Sequence, residues 1–337
     1  MRKKYLIWII ELAVILLVSM VIIAIAIRAG EYKPDTSAIL SLFSDKESGL
    51  EMTILKQIRI PRIILGFAIG ASLSLSGTVL QGVYRNPLVE PYTLGISGGA
   101  ALGVSLAIVF KINETFGRLA LPFSGFAGAF TSLLLVYWLS ISRGRMRIQT
   151  MLLVGVMFSY IASSVMMLLL SIVSSEDMQV VIYWTMGSLD EPDHFFIKLA
   201  CFTAVAGLIV SWLLVKPMNA MRLGHEKARY LGVNTETATR ILFITASVLT
   251  GLSVSIAGVI GFVGLIIPHL MRLMVGPDNR ILLPSSFLGG GAFLVLCDTI
   301  ARTIILPNEL PTGVITGITG GIVFVVIIAG KNAKLNL

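Results

Sequence analysis

The residues that could carry chemistry in this 337-residue chain are few and scattered. Asp298 stands in an apolar run with Arg302 one helical turn later, the i,i+4 spacing that permits an ion pair. Glu11 is the other main charge within an apolar run. His194, His225 and His269 are dispersed, and no two share a helical face as metal ligands would. Cys201 and Cys297 sit singly, without a CxxC or a nearby His, and read as small core side chains. There is no GxxxxGK[ST] phosphate loop, no HExxH and no GxSxG elbow on a strand-turn-helix. Gly258, Gly261 and Gly264 imitate a nucleotide loop, but no βαβ unit surrounds them. No catalytic residue, metal site or cofactor is therefore expected in the chain itself.

The elements that hold these residues are dictated by lipid. With 56% hydrophobic and 13% charged residues, and a mean hydropathy of +0.91, the chain cannot cover a soluble globule with polar groups. A spanning helix needs about 20 apolar residues. Candidates run near 5–28, 60–83, 92–110, 119–141, 149–173, 194–215, 236–257, 259–274, 281–304 and 312–330. The reading is an all-α integral membrane protein of about ten helices, with residues 1–337 forming one transmembrane domain. The 259–274 run follows its neighbour almost without a polar break, so it is expected to be short or tilted. The first run, behind Arg2, Lys3 and Lys4, is longer than a signal-peptide core and reads as a retained helix.

The net charge of +8 comes from single Lys and Arg between apolar runs, not from a nucleic-acid patch. Most of the 26, including Arg85, Arg143, Arg145, Arg147, Lys216, Arg222, Lys227, Arg229, Arg272 and Arg280, fall on the side that places both termini in the cytoplasm. The other side carries acids such as Glu31, Asp45, Glu47, Glu51, Glu176, Asp177, Asp190, Glu191 and Asp193. Lys56, Arg59 and Arg62 go against this rule at the outer end of the second run. Snorkelling to headgroups and docking of an acidic partner both account for them.

Glycines recur every fourth residue at Gly95, Gly99 and Gly103 and at Gly313, Gly317 and Gly321, with Gly66, Gly70 and Ser74 alike. Such ridges let helices approach closely in lipid. Ser72–Gly77 resembles Ser253–Gly258 in helices of opposite direction, which points to an inverted internal repeat. The loop Lys216–Thr235 reads as two short amphipathic helices divided at Gly224 and ended at Gly232. It can lie flat on headgroups or seat as a knob in a cytoplasmic protein.

Several blocks resemble the FecCD-type permeases of iron-siderophore, haem and cobalamin ABC importers. They are Arg59-Ile-Pro-Arg62, Ser76–Gly82, Arg85-Asn-Pro-Leu-Val-Glu-Pro91, Leu94–Ala100, Met218-Asn-Ala with Leu231-Gly-Val, Gly261–Arg272 and Glu309-Leu-Pro-Thr-Gly313. The resemblance spans about residues 55 to 330. It implies a multi-pass subunit of a prokaryotic plasma membrane, paired with a second permease copy or paralogue. Two cytoplasmic ATPases, which bind the ATP and Mg, and an extracytoplasmic binding protein would complete the importer. It further implies docking of the binding protein by Arg59, Arg62 and Arg302. Coupling to the ATPase would fall in helices at about 217–233, through Asn219, Ala220, Gly224, Glu226, Arg229 and Gly232. The cytoplasmic gate would be Asn86, Leu88, Gln149 and Thr150. The expected cargo is an iron(III)-siderophore or a related chelate such as haem or cobalamin. Met157, Ser159, Ser163 and Met166 fit low-affinity passage. An ATP-independent secondary transporter or channel is the alternative, weakened by the near absence of carboxylates within the spans.

Overall fold

The computed structural model describes residues 2–30, 50–142, 145–146, 148–190 and 193–335. Arg143, Arg147, Glu31, Asp45, Glu47 and Glu191, used above as topology signals, lie outside them. Every apolar run forms helix, as it must where no water can satisfy backbone groups. The helices are α1 (Arg2–Arg28), α2 (Ile60–Tyr84), α3 (Ile96–Val109), α4 (Ala120–Ser140), α5 (Ile148–Leu170), α6 (Ser175–Met186) and α7 (His194–Leu213). There follow α8 (Val215–Met221), α9 (His225–Tyr230), α10 (Thr235–Ala257), α11 (Val263–Val275), α12 (Asn279–Ala301) and α13 (Thr312–Leu335). A helical turn at Leu50–Thr53 and a π-helical stretch at Ile54–Arg59 lead into α2. Two-residue strands β1 (Ile141–Ser142) and β2 (Arg145–Met146) pair antiparallel between α4 and α5.

Among the described residues, seven helices are long and apolar enough to cross a membrane, while α3, α11 and the Thr312–Ile327 stretch of α13 are shorter apolar helices. Helix α6 was not read from the sequence. Its signal was present in the cap: Ser174 Oγ accepts from the Asp177 amide at 3.2 Å, and Glu176 and Asp177 sit in the first turn, favourable at the positive end of the helix.

Helix α2 is the axis of the bundle, 89% buried over its apolar window and packed by α7, α10, α11 and α12. One half of it, with Leu75, Val79, Leu80 and Val83, packs on α10 and belongs to one hydrophobic cluster with Leu242 and Phe243 of α10, Ala100 of α3 and Val136 of α4. The other half, with Leu65, Ile69 and Leu73, meets α7, α11 and α12. Glycines set the close crossings. A Cβ at Gly70 would overlap the Gly290 carbonyl, one at Gly77 the Gly264 carbonyl, and one at Gly103 the Ser124 carbonyl. Gly99 meets Gly128 and Ser132 of α4 in the same way. The α13 ridge differs from the sequence reading. Only Gly313 is crowded, by the Met186 and Val259 carbonyls; Gly317 and Gly321 have no neighbour within 4 Å, and Gly320 is the residue that packs, on Phe262. Ridge spacing identifies a face, and only the neighbouring helix decides whether it is used.

Helices α3 and α11 are half-length for a reason. The chain breaks at Arg85–Gly95 before α3 and at Gly258–Phe262 before α11. Gly264, at the start of α11, packs against Gly77 and the Leu73 carbonyl in the middle of α2, and against Pro91 of the first break. The two breaks therefore meet deep in the bundle. This explains why the 259–274 run had no polar boundary: it is a re-entry inside the protein, where irregular backbone is tolerated. The repeated hexapeptides are not conformationally alike, since Gly77 is mid-helix whereas Gly258, at φ +69°, ends α10.

Candidate functional site

Arg59, Arg62 and Arg302 meet at one end of the bundle and are 5%, 5% and 7% exposed. The Arg62 guanidinium lies across Asp298, with Nε 3.1 Å from both carboxylate oxygens and Nη2 2.9 Å from Oδ1. Its Nη1 donates to Glu309 Oε2 at 2.6 Å, and Nη2 is 2.9 Å from Asp190 Oδ1. Thr312 Oγ1 donates to Asp298 Oδ1 at 3.0 Å. Arg302 is present beside Asp298 as the i,i+4 spacing predicted, but at 3.8 Å it is the looser partner. Arg59 Nη1 donates to the Ile27 carbonyl at 2.7 Å, and Arg302 Nη2 donates to the Ala26 carbonyl. These carbonyls end α1, so the two cations cap its negative pole. The three arginines, with Glu309, line a cavity of about 230 Å³. The burial and the pairing of Arg62 were not read from the sequence, because its partners lie far along the chain.

The paired breaks form a second locus. Glu90 Oε1 accepts from the Phe262 amide at 2.7 Å, a carboxylate at the buried N-terminus of α11. Tyr92 OH donates to the Ile260 carbonyl at 2.8 Å and accepts from the Ile260 amide at 3.1 Å. One phenol thus satisfies both backbone groups of a residue that has left helical geometry. Glu90 and Tyr92 also line a cavity of about 340 Å³ with Thr93, Ser97, Ser159 and Ser163. Of the α5 residues expected to line a passage, Ser159 and Ser163 are in this cavity and Met157 is exposed. Met166 instead packs against Val104, Ile108 and Val181. The Glu90–Tyr92 fastening was missed, although Glu90 lay in a family block and Tyr92 directly after it, because nothing local shows that the breaks meet.

At the opposite end, α8 and α9 form a tight helical hairpin between α7 and α10. Asn219 Nδ2 donates to Asp278 Oδ1 at 2.9 Å, and its Oδ1 accepts from the Asn279 amide at 3.0 Å. Burial disfavours the charged Asp278, but bonds from Arg280 and Asn219 and the charges of Arg280 and Lys4 hold its pKa below the usual carboxylate value. Ala220 packs on the core, Gly224 turns at φ +116° and Gly232 at φ +80°. Arg229 Nε donates to Thr235 Oγ1 at 3.1 Å, and Glu226 is exposed. Burial lowers the His225 pKa, with Arg85 and Arg229 adding to the effect and a Val83 backbone bond opposing it. Leu223, Tyr230 and Leu231 project at 60%, 91% and 64% exposure. Asn86 and Leu88 are exposed in an Asx turn, with the Leu88 amide 3.0 Å from Asn86 Oδ1. Gln149 is exposed and Thr150 half-buried at the start of α5, which reaches α2 through Tyr84 OH, 3.9 Å from Met151 Sδ.

The FecCD transport family model matches residues 15–330. The chain belongs to this family. A cobalamin import system permease, BtuC of Halobacterium salinarum, is 40% identical over 281 residues, covering 83% of this chain and 74% of the relative. The hemin transport system permease HmuU of Yersinia pestis is 37% identical over 267 residues, covering 78% and 79%. A solved structure described as an inward-facing, metal-chelate type ABC transporter superposes with a TM-score of 0.82 at 29% identity, covering 96% of this chain and 99% of that one. The FecCD family is one of ABC transporter permease subunits, so the chain is a multi-pass membrane permease and not itself the ATP-hydrolysing component.

Proposed function

We propose that this chain is the permease of an ABC importer that carries an iron(III)-siderophore or related metal chelate across a prokaryotic plasma membrane. In this reading both termini are cytoplasmic and the chain pairs with a second permease, a copy or a paralogue. The observation that carries the reading is the α8–α9 hairpin: three large apolar residues are exposed on a packed, glycine-bounded knob, on a chain of this family. An ATPase subunit would seat on Leu223, Tyr230 and Leu231, and Asn219 would pass its movement to the start of α12 through Asp278 and Asn279. Changing Tyr230 and Leu231 together to Asp is expected to weaken association with the ATPase more than tenfold and to abolish uptake, as loss of a central apolar anchor does. Undiminished association in a pull-down from membranes would sink this assignment.

The extracytoplasmic binding protein would dock by carboxylates entering the cavity at Arg59, Arg62 and Arg302. Such a carboxylate meets Arg59 and Arg302 beside Arg62, whose donors already serve Asp298, Asp190 and Glu309. Arg59→Glu with Arg302→Glu is expected to lower binding-protein affinity about tenfold or more, mainly by slower association and with reduced salt dependence. The unfolding temperature is the accompanying readout, because both arginines cap α1. Affinity and salt dependence equal to the unaltered protein would remove docking from these residues.

A further inference from the structure

A separate cavity of about 410 Å³ opens at the Lys/Arg-rich end of the bundle, lined by Gln81, Arg85, Arg222, His269, Arg272 and Asn279. Three guanidinium groups converge there and no Asp or Glu lines it. Arg272 is half-buried, its Nη2 donates to Gln81 Oε1 at 3.2 Å, and the Arg222 charge repels it. Among the described residues, none of Arg85, Arg222 and Arg272 forms an ion pair with a carboxylate. Of the acids nearest in sequence, Glu226 is four residues from Arg222 and exposed, Glu90 is five from Arg85 and bonded to the Phe262 amide, and Asp278 is six from Arg272 and engaged by Asn219, the Arg280 amide and Lys4. None of these acids lines the cavity, so among the described residues its like charges, with Arg272 half-buried at the back, have no counter-anion there.

We infer that this cavity is a binding site for a phosphate-ester oxyanion, either the headgroup of an anionic phospholipid or a free phosphate. Guanidinium forks match phosphate oxygens, and Gln81 at the floor holds Arg272 in place through its Oε1 while its own Nε2 is taken up by the Gly264 and Leu265 carbonyls. Leu273 at the cavity rim and the adjacent Met274 are 57% and 59% exposed, which offers acyl chains an apolar path beside the basic lining. Basic pockets between helices at the cytoplasmic face take lipid headgroups by this combination. The occupant touches Asn279, whose side chain donates to Asn219 Oδ1 at 2.9 Å, so it braces the joint between α8 and α12.

The test uses the full chain in a neutral detergent, titrated with phosphatidylglycerol and followed by native mass spectrometry, with sodium phosphate as competitor. Saturable lipid binding, weakened about tenfold or more by R85Q with R222Q, is expected. Both residues are exposed, so the variant keeps its fold, and unchanged unfolding in lipid-free detergent verifies this. Lipid binding that millimolar phosphate does not displace assigns the site to the headgroup. Phosphate binding without lipid binding, sensitive to the same substitutions, assigns it to a soluble phosphate. Binding of neither, or binding unaffected by R85Q with R222Q, overturns the inference.

Discussion

Arg62→Ala is expected to destabilise the folded chain by about 3–5 kcal/mol, the cost of leaving a buried charge without its partner. Asp298 is 3% exposed, and the bidentate Arg62 contact is its principal charge partner. Removing the guanidinium also frees Glu309 and Asp190, but their side chains are 44% and 54% exposed and can turn to water. The loss should therefore trace to Asp298 alone. A paired variant, Arg62→Met with Asp298→Leu, removes both charges and replaces them with apolar volume, and should recover most of the stability, as buried ion pairs commonly do. Thermal unfolding in detergent of the two variants decides it. If Arg62→Ala unfolds with the unaltered protein, the network is not structural.

Gly77→Val is expected to prevent accumulation of folded protein, a cost above about 3 kcal/mol, because an added side chain must push two backbones apart in a packed interior. The clash at Gly77 is with the Gly264 backbone, carbonyl and Cα together, and no rotamer relieves it. Separating α2 from α11 would also strain the junction that Glu90 and Tyr92 fasten, since their bonds land on Phe262 and Ile260, just ahead of α11. Gly317→Ala is the contrasting change. It meets open space within the chain and should leave stability unchanged or slightly raised through helix propensity. Folded Gly77→Val protein at normal yield in a fluorescence size-exclusion profile would contradict the crossing.

The helices were legible because a membrane leaves the backbone few alternatives: each long apolar run had to be helical, and each is. What hydropathy could not show is depth. The 92–110 run looks like an ordinary span in composition, and 259–274 showed itself only as short or tilted, which it is, yet α3 and α11 both start within the bundle. Their boundary is a tertiary event between Pro91 and Gly264, distant in sequence. Charge was legible only to a similar extent. Lys56, Arg59 and Arg62 stood out against the charge rule, and Arg302 stood out as the i,i+4 partner of Asp298. The burial of the three arginines was not legible, because it depends on the Arg62–Asp298 pairing and on the carbonyl end of α1, which no local pattern announces. The α8–α9 hairpin was fully readable, because Gly224 and Gly232 do locally what a sequence can announce: both take positive φ and bound short helices.

The central claim is that this permease moves its cargo only with an ATPase below and a binding protein above. It is tested most directly in proteoliposomes holding the chain with and without those two partners, by following uptake of a ferric siderophore, haem and cobalamin alongside ATP hydrolysis. Uptake that needs ATP and both partners is the expected result, with the cargo identified by the chelate that accumulates. Transport by the chain alone, driven by an ion gradient and indifferent to ATP, would contradict it.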